Sequence, residues 1–206
     1  MKATTRRPRA KRGEGELLRA EILAAAERLL IQTGDEGAVS IRAIAEAAGV
    51  TPPSIYLHFA DKTELLAAVC ESRFRDLDSS MEEAAAAAGS PLEALWARGR
   101  AYVRFGLENP EPYRILFMTR PGPDRPPKDE GDLPGLTAFG HLVAEVAGCM
   151  DASAIAAGDP FLVATSLWTA VHGITSLLIA RPDFPWPDVD RLLGHVIEVQ
   201  GRGLSA

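Results

Sequence analysis

Hydrophobic residues recur every three or four positions along most of the chain, which is the period of an amphipathic α-helix. No segment shows the two-residue alternation of a strand, and no internal repeat is found. We therefore predict an all-α fold. The predicted helices span residues 16–33, 40–48, 51–59, 61–88, 92–108, 113–118, 136–150, 159–180 and 188–201.

Residues 40–59, SIRAIAEAAGVTPPSIYLHF, predict two short helices joined by a tight turn. Ser40 can cap the first helix. Gly49 suits a residue of positive φ at its end. Such a pair is either a helix-turn-helix, whose second helix enters a DNA major groove, or an ordinary helical hairpin within a core.

The second helix of this pair has its own start signals. Thr51 is an N-cap candidate, and prolines are tolerated in a first turn because those N–H groups have no intrahelical partner. Ile55 and Phe59 face inward, four residues apart. The residues left for the outer faces are Thr51, Pro52, Ser54, Tyr56 and His58.

Several spaced elements agree with one known family. They are Gly49-Val50, Tyr56-Leu57-His58-Phe59 and Asp61-Lys62-Thr63-Glu64-Leu65-Leu66. Over about residues 17–69 the chain resembles the TetR family of one-component transcriptional regulators. Leu57 departs from the polar or basic residue common in relatives, and this bears on base preference rather than on the fold. The resemblance implies DNA contacts from Ser40, Arg42, Thr51, Pro52, Pro53, Ser54, Tyr56, His58 and Lys62.

Two of these assignments have plain alternatives. Arg42 lies on the polar face of the first motif helix and is either a phosphate or base contact or a solvated cation. Lys62 should reach a phosphate, and a cation at a helix N-terminus is otherwise disfavoured by the helix dipole.

Charge is divided unevenly along the chain. The net charge is −6, yet residues 1–75 carry 12 Lys and Arg against 10 Asp and Glu. Six cations precede the first acid, Glu14. A basic end on an acidic body suits a protein that touches DNA at one end. We expect 1–13 to be a disordered arm that either tracks DNA or remains solvated, 14–60 to be the DNA-binding domain and 61–206 to be a ligand-binding and dimerisation domain.

The second half resembles the TetR C-terminal subclass called the WHG domain, through Trp168-Thr169-Ala170-Val171-His172-Gly173 and the segment 95–117. This resemblance implies a ligand cavity between helices, although most aromatic residues of such a domain are core. The candidates for ligand contact are Trp96, Phe105, Phe117, Trp168 and His172. We place Arg98, Arg100 and Arg104 mostly on an outer face, and predict a hydrophobic, uncharged or weakly cationic effector with His172 as its polar partner.

Other functions lack a signal in the sequence. No phosphate loop, zinc-protease motif or nucleophile elbow is present, and the four histidines have no metal-ligand spacing, so we predict no catalytic residue, metal or cofactor. Cys70 and Cys149 are interpreted as reduced thiols. No apolar run reaches the roughly 18 residues that span a bilayer. The basic N-terminus is not followed by the apolar region of a secretory signal, so we expect a cytoplasmic protein without membrane contact.

The most consistent interpretation is a homodimer that binds a pseudo-palindromic operator in double-stranded DNA and usually represses. A small hydrophobic effector would release it. The alternative is an all-α small-molecule binding module without a DNA role. A helical enzyme ranks third.

Overall fold

A computed structural model describes residues 14–118 and 135–205. No strand occurs within these ranges, and the predicted all-α fold is confirmed. The predicted arm, 1–13, lies outside the described residues. The helices are α1 (Glu14–Thr33), α2 (Ile41–Ala47), α3 (Pro52–Ile55), α4 (Lys62–Ala86), α5 (Pro91–Glu108), α6 (Pro110–Phe117), α7 (Leu136–Asp151), α8 (Pro160–Ala180) and α9 (Val189–Leu204).

The described residues form two compact units, called here unit 1 (14–69) and unit 2 (70–118 and 135–205). Helix α4 begins in unit 1 at Lys62 and continues into unit 2. The boundary that we predicted, between residues 60 and 61, remains a prediction.

The core of unit 1 is made by the apolar stripes that the sequence pattern predicts. Arg19 adds a cation–π contact, with its guanidinium carbon 5.0 Å from the centre of the Phe59 ring. Burying aliphatic side chains of this size contributes roughly 1.5–3 kcal/mol each. The fully buried residues include Ile22, Ala25, Ala26, Leu30, Ile44, Ala45, Ile55, Phe59 and Leu65.

The turn between α2 and α3 is closed by backbone hydrogen bonds. Ser40 caps α2, since its hydroxyl accepts from the Ala43 N–H at 3.1 Å. Gly49 adopts φ +68°, where a Cβ would be strained, and its N–H donates to Glu46 O. The Val50 N–H reaches back to Ala45 O. This pair of bonds is a Schellman motif, which fixes the direction in which the chain enters α3.

Helix α4 starts with a capping box, as predicted. The Asp61 carboxylate accepts from the Glu64 N–H at 2.8 Å. The Glu64 carboxylate accepts in return from the N–H of Ala60 rather than from that of Asp61. Two N–H groups that have no partner within the helix are thereby satisfied.

Unit 2 contains two apolar clusters, both with residues of α5, α7 and α8, and the first also with residues of α4 and α6. One is centred on Tyr102 and Tyr113, and the other on Val146 and Cys149. Gly106 permits the close approach of α5 and α8, because a Cβ there would lie 2.3 Å from the Thr175 methyl carbon. Any larger residue at 106 would push these two helices apart.

Two sequence predictions are corrected in unit 2. Helix α6 begins at Pro110 and not at Tyr113, since prolines are accommodated in a first turn that needs no N–H donors. Helix α8 is long and apolar enough to cross a membrane by length and composition, so the prediction that no run reaches that length is wrong. Its Ser, Thr, Gly and His residues interrupt the apolar run but carry no fixed charge.

Candidate functional sites: a helix-turn-helix surface and an apolar cavity

The second helix of the motif is short and its outer surface is exposed. Helix α3 has only four residues, and a turn extends it through His58. Thr51, Pro52 and Pro53 are exposed, and Ser54 and His58 are half-buried. Tyr56 is 55% exposed and Leu57 is 82% exposed. This surface therefore presents apolar as well as polar groups to solvent.

The polar residues of the motif have different local partners. Arg42 is exposed on α2, and Ser40 is engaged in capping. Thr51 occupies the N-cap position of α3, but it makes no side-chain cap bond, which corrects the prediction. Its hydroxyl instead shares a hydrogen bond of 3.0 Å with that of Ser54. Arg42 keeps its full reach into solvent.

Lys62 has a structural role within unit 1. Its ammonium group donates to the backbone carbonyls of Glu36, at 3.0 Å, and Val39, at 3.1 Å. These carbonyls belong to the short 3-10 helix Glu36–Ala38 and the residue that caps it. Two of the three donors of Lys62 therefore hold the segment that leads into α2, and one is left for a phosphate.

The charge of unit 1 is acidic where the structure describes it. Residues 14–69 carry four Lys and Arg against nine Asp and Glu, a balance of −5. The six cations of residues 1–13 more than offset this deficit. Without these six cations, unit 1 would repel a polyanion.

Unit 2 encloses a cavity of about 510 Å³, within the size range of small-molecule sites. Its wall is mainly aliphatic and aromatic, with few polar side chains. The residues that bound it come from α4, α5, α6, α7, α8 and α9 and include Phe74, Leu77, Met81, Trp96, Arg98, Tyr102, Phe117, Phe139, Thr165, Trp168, Val196 and Gln200.

The structure places three of the five ligand candidates on this wall, namely Trp96, Phe117 and Trp168. Phe105 is not on the wall and packs instead against the cluster around Tyr102. His172 is not on the wall either. The aromatic candidates thus lie in the region of the cavity. Their spacing did not distinguish residues that line the cavity from residues that pack behind its wall.

His172 belongs to a polar network behind the wall. Its Nδ1 lies 2.9 Å from the Tyr102 hydroxyl and 2.8 Å from the Tyr113 hydroxyl. Its Nε2 lies 3.2 Å from the Ser176 hydroxyl. The pattern fits a neutral imidazole whose Nε2–H donates to Ser176 and whose Nδ1 accepts from a tyrosine. Burial lowers the pKa of His172 and raises the pKa values of Tyr102 and Tyr113, so the network is neutral.

Arg98 corrects the prediction that it would lie on an outer face. Its side chain is only 6% exposed, and it lines the cavity. It donates through Nη2 to Glu82 at 2.7 Å and through Nε to Glu145. Burial alone lowers the pKa of the guanidinium, but the hydrogen bonds to both carboxylates outweigh it and raise the pKa, so the group stays charged.

A second cluster adjoins this ion pair. Nδ1 of His141 lies 3.0 Å from an Asp78 carboxylate oxygen and 3.5 Å from a Glu82 oxygen, close enough together for three metal ligands. The sequence did not reveal this group, because His141 lies about 60 residues away from the two acids, Asp78 and Glu82. The same Glu82 oxygen already accepts from Arg98. The arrangement is accounted for as an ion-pair network joining α4, α5 and α7.

An apolar surface of α8 and α9 is uncovered in the single chain. Only 28% of the apolar window of α8 is buried. Leu177 is 52% exposed and Val199 is 54% exposed, and Leu162 and Phe161 are also exposed. Leu193 of α9, in contrast, is buried within its own chain. Exposed apolar patches of this kind are typical of interaction surfaces.

A helix-turn-helix unit followed by a helical unit with an internal apolar cavity defines the class of ligand-binding transcriptional regulators. Residues 22–69 match the family of bacterial regulatory proteins called the tetR family. Residues 95–199 match the tetracyclin repressor-like C-terminal domain, which covers half of the chain. The chain belongs to the TetR family and is a transcription regulator with a helix-turn-helix DNA-binding domain. Membership of the WHG subclass remains a prediction.

A curated relative is the HTH-type transcriptional activator FasR of Mycolicibacterium smegmatis. It is 30% identical over 99 residues, which cover 48% of this chain and 45% of FasR. The chain therefore aligns with less than half of the length of this relative.

Solved structures share the fold over nearly the whole chain. A Rhodococcus sp. RHA1 protein of unknown function is 28% identical, with a TM-score of 0.77 over 92% of this chain and 96% of that one. A TetR regulator from Marinobacter aquaeolei VT8 is 19% identical, with a TM-score of 0.73 over 94% and 98%. NalD, the secondary repressor of the MexAB-OprM multidrug efflux pump in Pseudomonas aeruginosa, is 22% identical, with a TM-score of 0.66 over 93% and 98%.

Proposed function

We propose that this regulator binds a pseudo-palindromic operator as a homodimer and leaves it when a small apolar effector fills the cavity of unit 2. One observation carries the effector part of the proposal. Helix α4 begins in unit 1, and its residues Phe74, Leu77 and Met81 bound the cavity. An effector that shifts these side chains shifts the helix that continues from the DNA-binding unit. Operator half-sites lie about 34–36 Å apart, so a small respacing of two recognition helices weakens binding.

The DNA surface is formed by the residues that the resemblance indicates. Arg42, Tyr56 and the exposed first turn of α3 supply contacts to phosphates and base edges, and Ser40 fixes the start of α2. Ser54 and His58 lie at the rim of this surface, and Lys62 offers one remaining donor. Phosphate contacts position the motif, and base contacts select the sequence.

Residues 1–13 complete this surface through their charge. The described part of unit 1 is acidic, so the six arm cations supply the attraction to DNA. Replacing all six with Gln should lower the salt dependence of operator binding by about 0.9 in log–log slope for each phosphate that they neutralise. An unchanged slope would show that the arm is a solvated tail.

The homodimer uses the apolar surface of α8 and α9. Leu162, Leu177 and Val199 lie on this surface, and Gly173 offers a close approach because a Cβ there meets no atom within 4 Å. In the family, the last two helices of each chain form a four-helix dimer interface. This covering also accounts for the apolar composition of α8 in a cytoplasmic protein without membrane contact.

We propose that the protein represses transcription from its operator. Relatives of both kinds exist, since FasR is called an activator and NalD a repressor. A reporter under an operator selected with the purified protein decides the direction: expression falls when a repressor is supplied and rises when an activator is.

The alternative is a small-molecule binding module without a DNA role. The matched families contain regulators rather than enzymes, so a catalytic role has no support from the comparisons. An operator-release assay separates the alternatives, because only a regulator loses its DNA when the cavity is filled. Binding of effector with no DNA affinity at any salt concentration would favour the module.

A further inference from the structure

One residue of the cavity wall, Arg98, holds a donor without an acceptor. The Nη1 atom of Arg98 exposes less than 1 Å² and has no hydrogen-bond partner among the described residues. The other two nitrogens of the guanidinium are bonded to Glu82 and Glu145. A buried N–H group without an acceptor is costly, and the cost is larger when the group is charged.

Two other polar side chains of the wall are satisfied within the protein. The Trp168 indole N–H donates to the Tyr102 hydroxyl, and that hydroxyl also contacts His172. Thr165 on the wall donates to the Phe161 carbonyl. Arg98 thus differs from these groups in holding an unused donor at the boundary of an apolar space.

The charge around Arg98 restricts what can accept this bond. One guanidinium is flanked by two carboxylates, and Glu82 in turn lies beside Asp78 and His141. The positive charge is therefore already compensated. An anionic ligand would place a further negative charge near Glu145, whose side chain is only 14% exposed, and would be disfavoured. The charged head of a cationic ligand offers donors, whereas Arg98 Nη1 needs an acceptor.

We infer that the effector of this cavity is a neutral, mainly apolar molecule with one carbonyl-type oxygen that accepts a hydrogen bond from Arg98 Nη1. This assignment rests on the proposed effector cavity and names its ligand class. Because Nη1 itself is covered, the ligand oxygen reaches it only after a small shift of the wall. The rest of the ligand fills the space between Trp96, Phe117 and Trp168.

Three probes with the same number of carbon atoms test the ligand class on the full chain. Butyrophenone carries a neutral carbonyl, butylbenzene has no acceptor and 4-phenylbutyrate is an anion. By calorimetry and thermal shift, the ketone should bind about tenfold more tightly than butylbenzene, as expected for a hydrogen bond to a charged group. The anion should bind more weakly than the ketone. Equal binding of ketone and hydrocarbon, tightest binding of the anion, or no binding of any probe would overturn the assignment.

A variant then tests the residue. Arg98→Met alone would leave Glu145 without its partner, so the double variant Arg98→Met/Glu145→Gln removes the buried charges together. It should still bind butylbenzene but lose the preference for the ketone. A preference that persists would show that another group donates to the carbonyl oxygen. If the double variant does not fold, Arg98→Lys serves instead, since it keeps the charge opposite Glu145 and removes Nη1, and it should show the same loss.

Operator release is measured separately with the same ketone. Ketone preference without release leaves the ligand class standing and contradicts the proposed coupling to DNA. Release of operator DNA by butylbenzene and by the ketone at equal occupancy supports the coupling between the cavity and DNA binding. The role of Arg98 is decided only by the relative affinities of the three probes.

Discussion

The Lys62 ammonium group donates a hydrogen bond of 3.1 Å to the Val39 carbonyl, and a second one to the Glu36 carbonyl. The two ends of the helix-turn-helix segment are thereby joined by one side chain. The segment before α2 is held by the first turn of α4, so the motif has a fixed framework before it meets DNA.

Lys62→Met should therefore lower the free energy of unfolding, by about 1–3 kcal/mol, since two backbone carbonyls lose a charged donor. Arg28→Met, which removes an exposed cation of α1, is the matched control and should cost less than about 0.5 kcal/mol. Denaturant unfolding of the full chain measures both. If the two variants were equally stable and only Lys62→Met lost operator affinity, Lys62 would act solely as a phosphate contact.

Leu57 should select a thymine in each half-site. It is 82% exposed on the DNA surface, and the thymine methyl is the main apolar feature of the major groove. Replacing that thymine with deoxyuridine removes the methyl and should weaken wild-type binding roughly three- to fivefold, the effect of about one buried methyl group.

The matched variant is Leu57→Ala, for which the same base change should have little effect. A deoxyuridine scan across the operator, performed with both proteins, provides the comparison. If no thymine position distinguishes the two proteins, Leu57 does not read a methyl group.

Dimerisation should depend on the exposed faces of α8 and α9. Leu177→Glu and Val199→Glu place a charge on the apolar surface and should shift the protein towards monomer at micromolar concentration. Ala144→Glu, at an exposed position of α7, is the control and should leave the dimer intact. Analytical ultracentrifugation measures the shift. Monomeric wild-type protein at this concentration would refute the interface.

His172 should make stability depend on pH. Burial lowers its pKa in the folded chain below the unfolded value of about 6.5. Its contribution is therefore fully present above pH 6.5 and is lost as the pH falls from there through the lowered folded pKa. Wild type should lose more stability than His172→Gln between pH 7 and 5, in unfolding experiments that compare slopes rather than absolute values. If stability depended on pH with the same slope in His172→Gln as in wild type, His172 would not be the source of that dependence.

The periodic apolar pattern was sufficient to predict the all-α fold and the pair of short helices, because caps, the Gly49 turn and the α3 prolines act locally. The choice of a helix-turn-helix over an ordinary hairpin depended on the family resemblance. The cavity was harder to predict, since lining and packing aromatic residues share the same helical spacing. Arg98 shows the difference: it follows Leu95 by three residues and precedes Tyr102 by four, which places it on the inner stripe of α5.

We expected Arg98 on an outer face because a buried charge is costly. Its partners, Glu82 and Glu145, come from α4 and α7, and no local sequence pattern predicts these contacts. The contact between His141 and Asp78 was hidden for the same reason. Sequence periodicity therefore does not predict which charged residues of distant helices pair in the folded protein.

The central claim is that this chain, as a two-fold symmetric dimer, reads DNA through α3. Selection from a random duplex library with the purified full chain, followed by sequencing of the bound pool, tests it most directly. The account predicts enrichment of an inverted repeat whose half-sites lie about one helical turn apart, and loss of that enrichment for Tyr56→Ala. A pool without any inverted repeat at low salt would contradict it.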